Sequence, residues 1–176
     1  MASIAVLVNG PPGAGKTTLS GDLARELGVP LLSKDLLKEA MADQVLSRLP
    51  TTGLGAIASD AMWKLAALID GGVVVDSFWC SGRDEGFLSR GLEVAGVTDA
   101  VELWCATDID TMRERFRTRA RHPAHHDDAR AGEWEHMVRT AAPMSGYPVI
   151  EVATDVVVDA AELARRVRTE LPGLDA

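Results

Sequence analysis

Cysteine, aromatic residues and positive charge are all scarce in this chain of 176 residues. The two cysteines, Cys80 and Cys105, lie in or beside apolar segments and lack the spacing of metal ligands, which favours buried free thiols over a disulfide or a metal site. Long apolar runs, repeats and a signal-like amino terminus are also missing, so we expect one cytoplasmic domain without a membrane span. The net charge of -8 argues against broad binding to nucleic acid, because acidic surfaces repel phosphate chains.

Positive charge is concentrated in one short segment of this acidic chain. Between Arg113 and Arg130, six arginines accompany three acidic residues, so the segment carries a local excess of positive charge. A cationic strip in an acidic protein indicates one confined anion site, although a solvated arginine face is the alternative. His122, His125 and His126 follow without regular ligand spacing, so we expect a loop there and not a metal site.

Residues 10–18 read GPPGAGKTT and match the pattern G-x-x-x-x-G-K-[ST] at every fixed position. An apolar segment precedes this run and a helical pattern of leucines follows it, which gives the strand, loop and helix of a phosphate-binding loop. The glycines at 10, 13 and 15 permit backbone angles that turn successive N–H groups toward one anion. A glycine-rich turn with an incidental lysine is the alternative, and it leaves the flanking patterns unexplained.

The residue types in this loop match the separate charges of a nucleoside triphosphate bound with Mg²⁺. We expect Lys16 to reach the β- and γ-phosphates, Thr17 to bind Mg²⁺ through its hydroxyl, and Thr18 to hold the α-phosphate. The predicted ligand is ATP or GTP. The predicted contacts in the loop are Gly10, Pro12, Gly13, Ala14, Gly15, Lys16, Thr17 and Thr18.

Strand and helix patterns alternate along the chain. Helical patterns include one over 52–69 and one over 84–95, and apolar segments predict five strands, at 4–8, 31–33, 73–75, 101–105 and 149–152. Because right-handed crossovers place helices on both faces of such a sheet, we expect an α/β fold with a five-stranded parallel sheet. Ligands of these folds bind at the carboxyl ends of the strands.

Two acidic residues follow predicted strands at that edge of the sheet. Asp76 follows three valines, where an acid commonly binds Mg²⁺ directly or through water; a helix or turn cap is the alternative. Asp35 follows the second strand, where its carboxylate can accept the proton of an attacking hydroxyl. Asp35 can also cap the helix that begins at Leu36, and the two roles can coexist.

Over nearly its whole length the chain resembles the small P-loop kinases, the group of chloramphenicol phosphotransferase, zeta-toxin-like kinases, gluconate kinase and adenylate-kinase-like enzymes. The segments that carry the resemblance are GPPGAGKTT, LLSKDLLKEAM, VVVDSFW and CATDIDTMRERFRTRARHP. The resemblance implies a single three-layer P-loop NTPase domain over 1–176, with strand order 2-3-1-4-5 and an arginine-rich lid at about 117–132. In these families the acid after the second strand binds or deprotonates the acceptor hydroxyl, and Asp35 is similar in position.

Two arginines four residues apart begin the lid of adenylate-kinase-like members, and Arg115 and Arg119 occupy similar places. The resemblance implies that one lies on adenine and one reaches the phosphates; Arg117 or Arg121 can replace either. The spacing of i and i+4 also puts both on one helix face, where a guanidinium can stack on a base or bind phosphate through paired donors. Thr154 falls where similar kinases place their adenine loop.

Two further residues are candidates for binding the acceptor. Trp79 follows the third strand and can pack against a ring. Arg83 can hold the acceptor or the γ-phosphate, or it can pair with Asp84 or Glu85. The residues expected to be catalytic are Lys16, Asp35 and Arg119.

The sequence therefore predicts an ATP-dependent phosphotransferase that moves the γ-phosphoryl group to a hydroxyl of a small molecule, such as an antibiotic, a sugar or a nucleoside. A nucleotide-regulated switch or bare NTPase is an alternative, which needs neither an acceptor acid nor an arginine lid. A nucleic-acid 5′-hydroxyl kinase is another, which the acidic composition disfavours. The acceptor stays open, because the variable helices between Leu36 and Leu68 shape the acceptor pocket. The choice between monomer and homodimer also stays open, because the apolar face from Leu54 to Ile69 can be core or a dimer surface.

Overall fold

The structure is a computed structural model that describes residues 2–45, 49–119, 122–125 and 127–175. Arg121 and His126, two residues of the predicted lid, lie outside the described residues. The strands are β1 (Ala2–Asn9), β2 (Leu31–Ser33), β3 (Gly71–Asp76), β4 (Asp99–Ala106) and β5 (Val149–Ala153). The α-helices of the described chain are α1 (Lys16–Leu27), α2 (Lys34–Asp43), α3 (Thr51–Ala66), α4 (Glu85–Ala95), α5 (Ile109–Thr118), α6 (Asp127–Thr140) and α7 (Ala160–Glu170).

The strands form one parallel sheet in the order β2-β3-β1-β4-β5, which confirms the predicted fold and strand order. The register pairs Val8 with Asp76 and Ser33 with Asp76, so the carboxyl ends of β1, β2 and β3 are level. The phosphate loop, the start of α2 and the segment after β3 therefore leave the sheet side by side.

Each face of the sheet has its own hydrophobic core. Val74 of β3 packs with Leu23 of α1 and Val167 of α7 on one face, whereas Val73 and Val75 pack with α3 and α4 on the other. This alternation follows from the two-residue period of a strand, which points successive side chains to opposite faces. The nucleotide loop and α1 lie on the first face, and the helices that follow β2 and β3 lie on the second.

Helix α3 differs most from its sequence pattern. The pattern predicts one apolar face over 52–69, but the helix ends at Ala66 and its apolar residues divide into two sets. Leu54 and Met62 are buried, whereas Ile57 and, beyond the end of the helix, Leu68 are exposed. The helix is apolar on both sides, so periodicity alone does not show which side enters the core.

Two helices begin with a capping carboxylate. The Asp108 side chain accepts from the Thr111 N–H at the start of α5, and Asp159 accepts from the Glu162 N–H at the start of α7. Both are N-cap interactions, which satisfy donors that the first helical turn leaves free. In the described chain, no helix combines the length and the apolar character needed to cross a membrane.

Candidate nucleotide and acceptor site

A cavity of about 810 Å³ opens at the carboxyl ends of β1 and β3. Its volume falls in the range of roughly 300–1,000 Å³ that is usual for small-molecule sites. The phosphate loop and α5 line one half, which we call the nucleotide half. Helices α2 and α3, the segment after β3 and the start of α4 line the other, which we call the acceptor half.

The backbone of the phosphate loop has the conformation that its glycines predict. Gly10, Gly13 and Gly15 all have positive φ angles, of 146°, 95° and 82°. A Cβ atom on Gly13 would lie 2.4 Å from the carbonyl oxygen of Met112, so the loop packs too closely on α5 for any side chain there. Helix α1 begins at Lys16, and its N-terminal N–H groups are directed to the end of the loop, where they can bind an anion.

The predicted loop contacts divide into two groups. Pro12, Gly13, Gly15, Lys16, Thr17 and Thr18 line the cavity. Gly10 and Ala14 are buried on the side of the loop that faces away from the cavity. The Ala14 N–H donates to the Pro11 carbonyl oxygen, and the Ala14 carbonyl accepts from the Thr154 hydroxyl at 2.7 Å. These two residues therefore shape the loop from behind.

The ammonium group of Lys16 lies inside the loop. Its Nζ donates to the carbonyl oxygens of Gly10 at 2.7 Å and Pro11 at 3.2 Å, and it lies 5.7 Å from the centre of the Phe78 ring. Burial lowers the pKa of Lys16, while the negative charge of Asp76 opposes that shift. A desolvated cation held by neutral carbonyls is well placed to exchange them for phosphate oxygens.

Asp76 is a buried carboxylate at the end of β3. It is 4% exposed, and it accepts hydrogen bonds from the Ser33 hydroxyl at 3.1 Å and from Thr17. Burial raises the pKa of Asp76, and the nearby Lys16 opposes the shift. Because its partners are hydroxyls at the end of the sheet, the cap interpretation of Asp76 does not hold. The adjacent carboxylate and Thr17 hydroxyl are hard oxygen donors that fit Mg²⁺.

Asp35 lies in the first turn of α2 and lines the cavity. The N-cap of this helix is Ser33, so the alternative in which Asp35 is the cap is wrong; Asp35 has helical geometry and faces the positive end of the helix dipole. Its charge acts on the pKa values of both Lys16 and Asp76, which places it near the phosphate end of the cavity. It thus lies on the acceptor side of the predicted γ-phosphate position.

The predicted lid arginines occupy two different environments. Arg115 donates to the Thr154 carbonyl oxygen at 2.9 Å and lines the cavity beside Gly15. Arg119 is exposed, lines the cavity and acts on the pKa of Lys16. Arg117 is exposed and is not among the residues that line the cavity. The structure therefore brings Arg115 and Arg119, and not Arg117, to the nucleotide half.

The side chains of three predicted binding residues are less available to a ligand than the sequence suggests. They are Thr154, Trp79 and Arg83. The Thr154 side chain is buried behind the loop, and it is not among the cavity-lining residues. Trp79 lines the cavity, yet it is 3% exposed and stacks on Trp63 in the core. Arg83 lines the cavity and makes two hydrogen bonds to Asp84, which is the pairing that the sequence left open.

A buried polar network behind the cavity has no motif in the sequence. The Asn9 side-chain oxygen accepts from the N–H groups of Gly10 at 2.8 Å and Trp79 at 3.1 Å. Its amide group donates to Glu102, which is 1% exposed and also accepts from the N–H groups of Met144 and Ser145. Because each of these buried groups is paired, the network fixes the start of the phosphate loop against the segment after β3.

Helix α2 also carries residues that join the acceptor half to the predicted lid. Lys38 is 5% exposed, lines the cavity and donates to the Thr51 hydroxyl at 2.6 Å; that hydroxyl donates to the Ala124 carbonyl oxygen. His125, also on the cavity, lies 2.7 Å from Glu39, and His122 lies 2.9 Å from Asp43. The only sequence signal for this set is the helical spacing of residues 35, 38, 39 and 43.

The chain matches the model of the family AAA_33, an AAA domain, over residues 6–144. The chain belongs to this family. Its resemblance to small P-loop kinases is thereby confirmed, and it has the fold of a nucleotide-binding kinase.

Solved structures agree with the family match. A crystal structure from Chloroflexus aurantiacus, provisionally named a kinase, is 29% identical with a TM-score of 0.82, covering 97% of this chain and 99% of that chain. APS kinase from Mycobacterium tuberculosis, solved with AMPPNP and APS, is 21% identical with a TM-score of 0.62, covering 97% of this chain and 98% of that chain. The second likeness shows the fold alone.

Cytidylate kinase from Mycobacterium leprae is 32% identical over 101 residues. The matched segment covers 57% of this chain and 44% of that protein, so this chain spans less than half of the relative's length. The match shows that this chain is similar to part of a cytidylate kinase.

Proposed function

We propose that this protein is an ATP-dependent kinase that transfers the γ-phosphoryl group to a hydroxyl of a small molecule. The observation that carries the proposal is that one cavity joins a phosphate-binding loop to a carboxylate on a separate helix, Asp35 of α2. The fold, the family and the kinase relative support the nucleotide part, and the cavity supports the acceptor part.

The phosphate loop would hold the triphosphate before transfer. Backbone N–H groups of the loop and of the first turn of α1 would bind the phosphates, and Lys16 would leave the Gly10 and Pro11 carbonyls for the β- and γ-phosphates. The residues that would hold Mg²⁺ are Thr17 and Asp76, and the ion would neutralise charge on the β- and γ-phosphates.

Asp35 would act as the base toward the acceptor. Its carboxylate would accept the proton of the hydroxyl as the hydroxyl oxygen bonds to the γ-phosphorus and the bond to the bridging oxygen of ADP breaks. The products are a phosphate ester and ADP, and the proton leaves through Asp35. Orientation of the hydroxyl in line with the leaving group is the larger part of this role.

The position of Asp35 favours a hydroxyl acceptor over a phosphate acceptor. A hydroxyl must lose a proton during transfer, so a carboxylate beside it assists the reaction. A phosphate acceptor is already ionised and would be repelled by the same carboxylate, because like charges in a partly buried site interact strongly. The charge of Asp35 raises the pKa of the nearby Asp76, so a second carboxylate lies close by and adds to that repulsion.

The segment 117–132 would close over the nucleotide as a lid. Arg119, at its start, would contribute positive charge to the transferring group, and Arg115 would bind the nucleotide beside Gly15. The contacts of His122 with Asp43 and of His125 with Glu39 support this role, because they hold described parts of the segment against α2. Closure would exclude water and so favour transfer over hydrolysis.

Release of ADP from Mg²⁺ and ATP, measured with and without pooled hydroxyl compounds, tests the proposal. The pools contain sugars, nucleosides, aminoglycosides and other alcohols, with nucleoside monophosphates and 5′-hydroxyl oligonucleotides as separate arms. We expect ADP release to rise with one pool of small hydroxyl compounds. ADP release that no pool changes would identify an NTPase or switch, and a response to the monophosphates or to the oligonucleotides alone would refute the small-molecule hydroxyl acceptor.

A further inference from the structure

Helix α3 contains two glycines whose effect on the helix is the same but whose positions differ. Gly53 and Gly55 both lie inside the helix, where glycine is less stable than alanine because it loses more backbone freedom on folding. A Cβ atom built on either residue meets no heavy atom within 4 Å, so packing within the protein does not require glycine at either place. Of the two, Gly55 lines the cavity.

The whole cavity face of α3 has short side chains. Besides Gly55, α3 lines the cavity with Thr51, its first residue, and with Thr52, Ala56 and Ser59. They recur at the spacing of one helical face, so the wall is flat and the open space above Gly55 belongs to the acceptor half. Room for a ligand is therefore a function that Gly55 can serve and Gly53 cannot.

A buried hydroxyl without a hydrogen-bond partner among the described residues lies in the acceptor half, which we also call the acceptor compartment. Ser77 is 4% exposed and lines the cavity, and its Oγ atom has no hydrogen-bond partner among the described residues. Ser77 directly follows β3, and its N–H still donates to the Val8 carbonyl oxygen of β1, so the alternation that turns Val73 and Val75 toward α3 and α4 also predicts that face for Ser77. Buried hydroxyls are normally paired, so the unpaired Ser77 hydroxyl, which must turn toward the cavity to be reached, is available to a polar group of a ligand.

The wall near α4 presents an apolar ring. Phe87, in the first turn of α4, lines the cavity and is 58% exposed. Nearby, Arg83 and Asp84 cancel each other's charge through their paired hydrogen bonds. The compartment thus combines an apolar ring, a flat wall of small residues and one unpaired hydroxyl.

We propose that the acceptor is an alcohol with a flat apolar ring, which lies between Gly55 and Phe87 and places a polar substituent on the hydroxyl of Ser77. This proposal rests on the proposed function for the direction of the acceptor hydroxyl, which faces Asp35. Gly55 sets the width of the compartment, and Ser77 selects a ring with a hydrogen-bonding substituent.

The test compares binding of four probes in the presence of Mg²⁺ and a non-hydrolysable ATP analogue. Two probes carry a flat ring, 2-phenylethanol and uridine, and two do not, glycerol and myo-inositol. Binding is measured by saturation-transfer NMR, which requires no chemical step. We expect the ring compounds to bind and the polyols to bind at least about tenfold more weakly.

The glycine pair supplies a matched control. Gly55→Ala places a methyl group in the compartment and is expected to weaken ring binding about tenfold, whereas Gly53→Ala leaves it unchanged. Both variants should raise the thermal midpoint, since both replace a helical glycine without a clash. Ser77→Ala should keep its stability, because its hydroxyl has no protein partner to lose, and should weaken uridine binding more than phenylethanol binding.

Three results would overturn the proposal: equal binding of polyols and ring alcohols, no binding of either ring compound, or the same effect of Gly55→Ala and Gly53→Ala on ring binding. The transfer assay separates this proposal from the kinase proposal. Ring compounds that bind in the compartment while no hydroxyl compound is phosphorylated would refute the kinase and keep the compartment. Phosphorylation of polyols that Gly55→Ala leaves unchanged would refute the ring acceptor and keep the kinase.

Discussion

In the nucleotide half of the cavity one continuous segment, residues 10–18, supplies most of the predicted ligand contacts, many of them through its backbone, whereas in the acceptor half side chains from three separated segments supply them. The loop from residue 10 to 18 is fixed by its glycines, by its packing on Met112 and by the hydroxyl of Thr154. The acceptor half is assembled from residues 34–38, 51–59 and 77–87.

This difference explains how one fold can serve many acceptors. Backbone N–H groups bind phosphate whatever the side chains are, so the nucleotide half depends on loop geometry. The acceptor half depends on side-chain size and polarity at positions such as Gly55 and Ser77, which can change without altering the loop. Changes in the first half should therefore abolish turnover with every acceptor, and changes in the second should alter acceptor use.

The largest effect is expected from Lys16→Met. Loss of the ammonium that would hold the transferring phosphate should lower kcat/KM by roughly 10³-fold with every acceptor. Steady-state kinetics with two acceptors measures the effect. Lys64→Met, at an exposed position of α3 away from the cavity, serves as the control. A fall in kcat/KM with one acceptor and not with the other would contradict the division of the site into a nucleotide half and an acceptor half.

Asp35→Asn should separate the two halves of the site. We expect kcat to fall by roughly 10²-fold or more, because the amide cannot accept the hydroxyl proton, while ATP binding measured by calorimetry stays close to that of the wild type. Asp60→Asn, on the exposed side of α3, removes a carboxylate outside the cavity. Unchanged transfer in Asp35→Asn would refute the base while leaving the nucleotide site in place.

The two exposed arginines at the end of α5 form a pair that tests the lid. Arg119→Ala should lower kcat by about tenfold, an effect limited by solvent exposure, because this residue lines the cavity and acts on Lys16. Arg117→Ala should leave kcat near the wild-type value, since Arg117 lies off the cavity. Equal losses in both variants would indicate that a diffuse positive charge acts there and not a positioned guanidinium.

The smallest effect of this set is expected from Asp76→Asn, and it is an effect on thermal stability that depends on pH. Because burial raises its folded-state pKa above the unfolded value, its contribution to stability is fully present below the unfolded pKa and is lost as the pH rises through the folded pKa. Asp76→Asn removes that loss. Without Mg²⁺ and nucleotide, the thermal midpoint of the variant relative to the wild type should therefore rise as the pH increases from the unfolded pKa to the folded pKa. A difference that stays constant with pH would contradict the buried carboxylate.

The nucleotide half was predictable because its signal is local in the sequence. The spacing of glycines, Lys16 and Thr17, with a strand before and a helix after, specifies backbone geometry within nine residues. The alternation of strands and helices similarly predicted the sheet and the placement of Asp76 at its edge. What the motif did not show is that Gly10 and Ala14 are buried, since that depends on the packing of Gly10 on Cys105 and on the hydrogen bond from Thr154 to Ala14.

In the acceptor half the sequence indicated Asp35, Trp79 and Arg83, which all line the cavity, because they follow the ends of predicted strands. Lys38 and Ser77 reach the cavity because α2 begins and β3 ends at the same edge of the sheet, and no local pattern reports that juxtaposition. The Asn9 to Glu102 network joins residues 93 positions apart, and it is likewise invisible in a single sequence. Gly53 and Gly55 were visible inside a helical pattern, but the fold was needed to show which one faces the cavity.

The most direct measurement is a phosphorus NMR time course of ATP, Mg²⁺ and a responding hydroxyl compound with the wild-type protein. The two-part cavity predicts that the γ-phosphate signal of ATP disappears as a phosphate-ester signal and ADP grow in equal amounts. Growth of inorganic phosphate alone, at the same rate with or without the hydroxyl compound, would contradict a joined nucleotide and acceptor site.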